Sequence, residues 1–351
     1  VPTSIDVVLC TGGLGPTHDD ITSSVLYDYF GAKPEFDEQY WQLLTKKFAA
    51  RDQVIPDINR NQAMKPDIGE VIPNPIGSAR GLHLSNKSYH LFAMPGVPAE
   101  MKSMMTNTIL PWIESRSKSK IHVTVMRTTG IMESVLYEKV QGILDDYPQI
   151  NVAFLPRFTG VDIRLTTSDK NTLNRLVDQI SPVIQKYHFG GEGVELEDVV
   201  GKLLIKNRKT IATAESCTGG LIGDRLTNIS GSSLYYKGGI VAYSNSVKEK
   251  TIGVKKETLD SAGSVSEETA LEMARGIRNK LNADIGLSTT GIAGPKGGTK
   301  EKPVGLVYIA ISYDRGEKVY RFTFTPYRKT NKLMTSQAAL NITRIHILNG
   351  L

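Results

Sequence analysis

The sequence predicts a multidomain α/β chain with a small α+β unit in its middle. Three observations predict it. Twice, at 5–20 and at 209–226, a short apolar run breaks into a turn of small residues and then into a helical pattern. Between the two lies a stretch, 121–187, that reads β-α-β-β-α. With 351 residues the chain has room for two or three domains, each with its own core. We place them at 1–115, 116–192 and 193–351.

In order, residues 5–9 read as a strand entering Thr11-Gly12-Gly13-Leu14-Gly15-Pro16-Thr17-His18-Asp19-Asp20, with the two aspartates opening a helix to Tyr29. Residues 37–50 form an amphipathic helix with Trp41, Leu44 and Phe48 on one side. Proline-rich turns at 72–77 and 94–98 flank a strand at 88–93. Pro98 then sits in the first turn of a helix to Met105 that carries Glu100. Residues 115–120 are polar and basic, as in a linker.

The middle unit reads as strand 121–128, helix 133–145, strand 151–155, strand 160–167 and helix 170–187, closed by the glycine-rich stretch 190–193. The last unit opens with helix 196–207 and strand 209–212. It continues with the turn Thr213-Ala214-Glu215-Ser216-Cys217-Thr218-Gly219-Gly220 and a helical segment from Leu221. A strand at 238–243 ends in Ser244-Asn245-Ser246-Val247-Lys248, and Ser266 N-caps a helix through Leu281. Strand 284–289 leads into the polar turn 290–299, followed by strands 304–313 and 318–325 and a final helix from Arg328.

Composition excludes several classes. No apolar run approaches the roughly 20 residues that span a bilayer. The two cysteines, Cys10 and Cys217, fall in different domains, so a disulfide framework is not expected and a reducing, cytoplasmic setting fits. The net charge of +6 raises nucleic acid as a partner, but the basic residues are interspersed with acidic ones. Its first residues do not read as a signal peptide, show no Met and enter a strand almost at once. We expect the start of its first domain to lie outside this sequence.

Two turns have residues suited to chemistry. At 213–220 backbone N–H groups and a helix start favour an anion or developing oxyanion. Ser216, Cys217 and Thr218 are possible nucleophiles there, beside the carboxylate of Glu215. A tight turn of small residues accounts for the pattern almost as well. At 11–20, Gly12, Gly13 and Gly15 make a backbone-lined turn. Asp19 and Asp20 either complement a helix dipole or hold a divalent cation.

These blocks together resemble the CinA family, the competence/damage-inducible proteins. The last unit is similar to the nicotinamide-nucleotide amidase domain of that family in four ordered pieces: 213–220, Ala242-Tyr243-Ser244-Asn245 with Lys248, 289–295 with Gly297-Gly298, and Lys302-Pro303-Val304-Gly305. The first unit resembles its molybdopterin-binding-like domain through residues 11–20, 73–75 and 95–98, incomplete at its start. The middle unit stands where the family carries a KH-like domain, without the Gly-x-x-Gly loop of RNA-binding KH modules. Two departures stand out. The family's Gly-Thr-Glu-Leu-Leu segment is absent, and residues 78–81 read Ser-Ala-Arg-Gly rather than Thr-Ala-Pro-Gly.

The resemblance implies deamidation of nicotinamide mononucleotide to nicotinic acid mononucleotide and ammonia, in pyridine nucleotide salvage. Such a reaction needs a nucleophile, a base and oxyanion donors. No His lies near the C-terminal blocks, so Ser216 with Lys248 as base is the expected pair, and Tyr243 relays a proton or orients Lys248. The substrate-binding set is Glu215, Cys217, Thr218, Gly219, Gly220, Asn245, Thr290, Gly291, Gly294, Gly298 and Arg328, with Arg328 on the phosphate. The N-terminal site is Gly12, Gly13, Gly15, Thr17, Asp19, Asp20 and Glu100, with Asp19 and Asp20 as its metal ligands.

The amidase is expected to need no cofactor, whereas the first domain takes a divalent metal. A small pyridine nucleotide and a second copy in a homodimer are the expected partners, with neither membrane nor nucleic acid. The alternatives are a metal-dependent ADP-ribose pyrophosphatase in the first domain and a nucleic-acid-binding, competence-related protein.

Overall fold

The computed structural model describes residues 5–117 and 120–350. They form two compact units, divided between Lys120 and Ile121. No helix among the described residues is long and apolar enough to cross a membrane.

The first unit contains β1 (Val7–Thr11), α1 (Thr22–Phe30), β2 (Pro34–Phe36), α2 (Glu38–Ala49), β3 (Met64–Pro66), β4 (Glu70–Ile72), β5 (Gly81–Ser85), β6 (His90–Met94), α3 (Pro98–Met104) and α4 (Leu110–Arg116). Its sheet runs β1-β6-β5-β4, with β1 parallel to β6 and the other pairs antiparallel. Leu26, Leu82, Leu84 and Leu91 fill one core, and Ile72, Phe92, Met94, Met104 and Ile109 fill another. Asp19 and Asp20 precede α1 rather than opening it. They belong to the glycine turn, in which Thr22 N donates to Gly13 O. The linker expected at 115–120 starts later, because α4 runs to Arg116; residues 118 and 119 lie outside the described residues.

The second unit opens with β7 (His122–Thr128), α5 (Glu133–Leu144), β8 (Asn151–Arg157), β9 (Gly160–Thr167), α6 (Lys170–Ile184) and β10 (His188–Gly190). These strands form an antiparallel sheet in the order β10-β7-β9-β8, and the two helices close its core over Met126, Ile163, Leu165, Leu176 and Ile180. The strand β10 interrupts the stretch expected to be helix and boundary. This α+β piece is fastened to the rest of the second unit. Arg127 pairs with Asp162 and Glu195, and Arg344 donates to the carbonyls of Lys186 and His188.

The remainder comprises α7 (Leu196–Lys206), β11 (Ile211–Glu215), α8 (Leu221–Thr227), β12 (Tyr236–Val241), α9 (Asn245–Ile252), α10 (Lys256–Ser261), α11 (Glu267–Lys280), β13 (Ile285–Gly291), β14 (Leu306–Tyr313), β15 (Gly316–Thr323) and α12 (Arg328–Leu348). The sheet order is β12-β11-β13-β14-β15; the first three strands are parallel and the last two antiparallel. Every residue of β11 is buried, as expected for a strand covered on both faces. Ile211, Ile285 and Leu287 pack with α7, α8 and α12, while Ala212 and Ala214 pack with α9 and α11.

One sequence expectation changes here. Residues 245–248 are not a strand extension but the first turn of α9, which Ser244 caps by accepting from Val247 N. Lys248 is therefore helical.

Candidate active site

The three parallel strands end level with one another. Glu215 stands opposite Val241 on one side and Thr289 on the other. Ser216, Ala242 and Thr290 thus emerge side by side at the carboxyl edge of the sheet, where α/β sheets commonly bind ligands.

Ser216 is fixed by its own amide, which donates to Thr289 O at 2.9 Å. The chain then turns sharply through Gly219 (φ +61°) and Gly220 (φ +94°), both in the left-handed region that glycine tolerates. The Glu215 carboxylate sits beneath this turn and accepts from Gly220 N at 2.9 Å, Ile222 N at 3.1 Å and Gly223 N at 2.8 Å. It closes the start of α8. This corrects the sequence reading of Glu215 as a substrate-binding group: both its oxygens are committed to backbone donors. Thr218 is likewise turned inward, its hydroxyl 2.7 Å from that of Thr289.

Cys217 packs into the core. It is 5% exposed, within the core formed by α7, α8 and α12, and burial pushes its thiol up to about 12. Its side chain offers neither a nucleophile nor a ligand contact. Its neighbours' backbone does: among the described residues the amides of Thr218 and Gly219 have no acceptor, and they follow closely on the serine.

Lys248 reaches Ser216 from α9. The lysine is 1% exposed, and Nζ lies 3.1 Å from Ser216 Oγ. Nζ also donates to Ala242 O at 2.7 Å and Tyr243 O at 3.2 Å. Burial holds the amine below its usual pKa, opposed only by the nearby Cys217 thiol. Two of its three partners are carbonyls that can only accept. A neutral amine has two N–H donors and one lone pair. With both donors on the carbonyls, the lone pair faces the serine hydroxyl.

Tyr243 differs from expectation. Its side chain is 60% exposed, and its hydroxyl accepts from Arg328 Nη2 at 2.7 Å. It orients Lys248 through its carbonyl, not its phenol. Arg328, at the start of α12, also donates to Gly294 O at 3.2 Å and so ties the end of β12 to the loop after β13. Within that loop Thr290 is buried, its hydroxyl donating to Ser264 O at 2.6 Å. Gly291 and Gly298 leave no room for a side chain, since a Cβ would come within 2.6 Å of Leu306 O and Val304 N respectively. Asn245 is exposed on the first turn of α9. Sequence reasoning misses Lys332, whose Nζ lies 3.4 Å from where a Cβ of Gly219 would be. The available signal is its spacing four residues after Arg328 on one helix.

The first unit gathers its predicted residues only in part. Gly12 N donates to Met94 O at 2.8 Å, and the turn at Gly96 packs on Gly12. Asp20 accepts from Thr17 N at 3.0 Å and Thr17 Oγ1 at 2.6 Å; the Thr17 hydroxyl leads in holding its carboxyl below the usual range. Gly15 abuts the same carboxylate. Glu100 belongs to another contact, accepting from Asn74 Nδ2 at 2.6 Å and packing on Gly77. Among the described residues no group of three or more His, Cys, Asp or Glu side chains comes together to hold a metal ion. Asp20 is the one of the two aspartates turned onto its own loop by the bonds from Thr17. A cavity of about 350 Å³ does open beside the turn, lined by Gly15, Asp20, Asp28, Asn61 and Arg80 among others.

The comparisons with known proteins agree along the chain. Residues 194–347 match the CinA C-terminal domain, 3–115 a probable molybdopterin binding domain, and 123–190 the KH domain of damage-inducible protein CinA. A CinA-like protein of Chloroherpeton thalassium is 43% identical over 360 residues, covering 98% of this chain and 86% of that protein. A protein of Halothermothrix orenii, named as competence-damage inducible, is 40% identical over 341 residues, covering 95% and 82%. A crystal structure of competence/damage inducible protein CihA from Agrobacterium tumefaciens is 37% identical, with 44% of this chain and 97% of that chain covered and a TM-score of 0.42. With its fold, its domain order and these relatives in view, the chain belongs to the CinA family.

Proposed function

We propose that residues 193–351 form an amidohydrolase that converts nicotinamide mononucleotide to nicotinic acid mononucleotide and ammonia. The observation that carries this reading is the 3.1 Å approach of the buried Lys248 amine to Ser216 Oγ, with two carbonyls taking the other Nζ bonds. A serine with a desolvated lysine beside it and unpaired amides after it has the parts for acyl transfer. The choice of substrate follows the four sequence blocks shared with the amidase domain.

In this reading Ser216 Oγ attacks the amide carbon while Lys248 takes the hydroxyl proton. The carbonyl oxygen gathers negative charge and is received by the amides of Thr218 and Gly219. Lys248 then passes its proton to the departing nitrogen, which leaves as ammonia, and the acyl group stays esterified to Ser216. Water attacks the ester, giving one proton to Lys248, which returns it to Ser216 Oγ as the carboxylic acid is released and loses its remaining proton to the solvent or to ammonia. The test is ammonia release from nicotinamide mononucleotide by the whole chain. Ser216→Ala is expected to abolish it and Cys217→Ala to keep most of it. An active Ser216→Ala would end the assignment.

A further inference from the structure

We infer that Lys332 is a specificity-determining residue: with Arg328 it receives the substrate's phosphate and makes the site select a phosphorylated nucleotide over its riboside. The inference rests on the amidase reading above. Lys332 is half-buried, and its Nζ lies 3.4 Å from the Cβ position of Gly219, three residues after the nucleophile. Among the described residues it has neither a hydrogen-bond acceptor nor a carboxylate partner.

The neighbouring cations are occupied differently. Lys248 is held by Ser216 and two carbonyls, Arg225 by Glu197, Ser336 and Gln337, and Lys302 by Ala262 O. Arg328, one helical turn before Lys332 on the same face of α12, binds only neutral groups, Tyr243 OH and Gly294 O. Two positive charges without a counter-charge thus stand together at the rim of the serine turn. A half-buried cation next to another cation is unfavourable unless an anion joins them. A phosphate monoester, with its two charges and several acceptor oxygens, supplies that anion. Gly219 keeps the approach open, since its φ of +61° disfavours any side chain there.

The experiment is calorimetric titration of the whole chain with nicotinamide mononucleotide and nicotinamide riboside, on wild type, Lys332→Met and Lys332→Arg, beside steady-state kinetics on both. Lys332→Met is expected to weaken mononucleotide binding by about 10- to 100-fold, the range for losing one charge-assisted contact. KM should rise with kcat nearly unchanged, riboside binding should stay constant, and Lys332→Arg should recover most of the loss. Mononucleotide binding that depends on Lys332 without ammonia release would sustain this inference and sink the amidase reading. Ammonia release with mononucleotide binding indifferent to Lys332→Met would do the reverse. Equal losses on mononucleotide and riboside, or no wild-type binding of the mononucleotide, would overturn the inference.

Discussion

Replacing Lys248 tests the chemistry most directly, because a base and a fixed positive charge predict different results from the same position. An ordinary lysine, with a pKa near 10.4, is neutral in only about one molecule in 10³ at pH 7.5. Each unit by which burial lowers that pKa raises the neutral fraction about tenfold, at a cost of about 1.4 kcal/mol in native stability at neutral pH. Lys248 is 1% exposed and has no carboxylate within hydrogen-bond reach, so its amine lies below the ordinary value of 10.5.

Lys248→Met is then expected to lower kcat by about 10²–10⁴-fold with little change in KM. Lys248→Arg should not restore it, since a guanidinium stays protonated. Wild-type kcat should climb with pH and level off above the lowered pKa, and neither variant should show that limb. Stability carries the same signature. Between the folded pKa and 10.5 the unfolded chain binds a proton that the native chain does not, so stability rises with pH through that window and falls as pH drops toward the folded pKa. The assays are ammonia release and Tm, each followed from pH 6.5 to 10.5. Near wild-type kcat in Lys248→Arg, or a rising limb that survives Lys248→Met, would refute the reasoning.

Three further outcomes follow from the same geometry. Cys217 should resist a thiol reagent in the native protein at pH 8, because its thiol is pushed up to about 12 inside the core; rapid labelling of native protein that disappears in Cys217→Ala would contradict this. Tyr243→Phe removes only the bond to Arg328 and should change kcat by less than about tenfold, the cost of one net hydrogen bond, whereas a loss as large as that of Lys248→Met would restore the phenol to the chemistry. Glu215→Gln turns an amide donor toward backbone N–H groups and should cost about 2 kcal/mol of stability by denaturant unfolding, with kcat falling as the serine turn loosens; an unchanged midpoint would mean the carboxylate does not hold α8.

Much of this site is legible in the sequence because its parts follow strand ends. A buried apolar run followed by small residues fixes where Ser216 emerges, and the absence of His from the C-terminal blocks points to Lys248 as its partner. What sequence conceals is direction. Glu215 is adjacent to the serine, yet alternation along β11 turns its side chain to the start of α8. Cys217, one residue on, enters the core. Lys248 reads as a strand end because Ser244-Asn245-Ser246 is polar and short, but Ser244 is an N-cap and starts a helix that delivers the lysine sideways. In the first unit, three-residue strands such as Pro34–Phe36 and Met64–Pro66 carry too little pattern to be read. Nor does the sequence show that Asp20 turns back to accept from Thr17.

The identity of the groups that hold Lys248 bears on why a lysine serves here at all. In a Ser-His-Asp triad a carboxylate orients the base and stabilises its charged form. Strand β12 is the edge of its sheet, and its pairing with β11 ends at Val241. The carbonyls of Ala242 and Tyr243 therefore lie beyond the ladder, and the lysine amine supplies their donors. They orient Nζ as firmly as a carboxylate would, but they carry no net charge. A carboxylate in their place would favour the ammonium and raise the pKa, which would remove the lone pair from the serine. Neutral acceptors in a dry setting fix the amine while leaving burial free to lower its pKa.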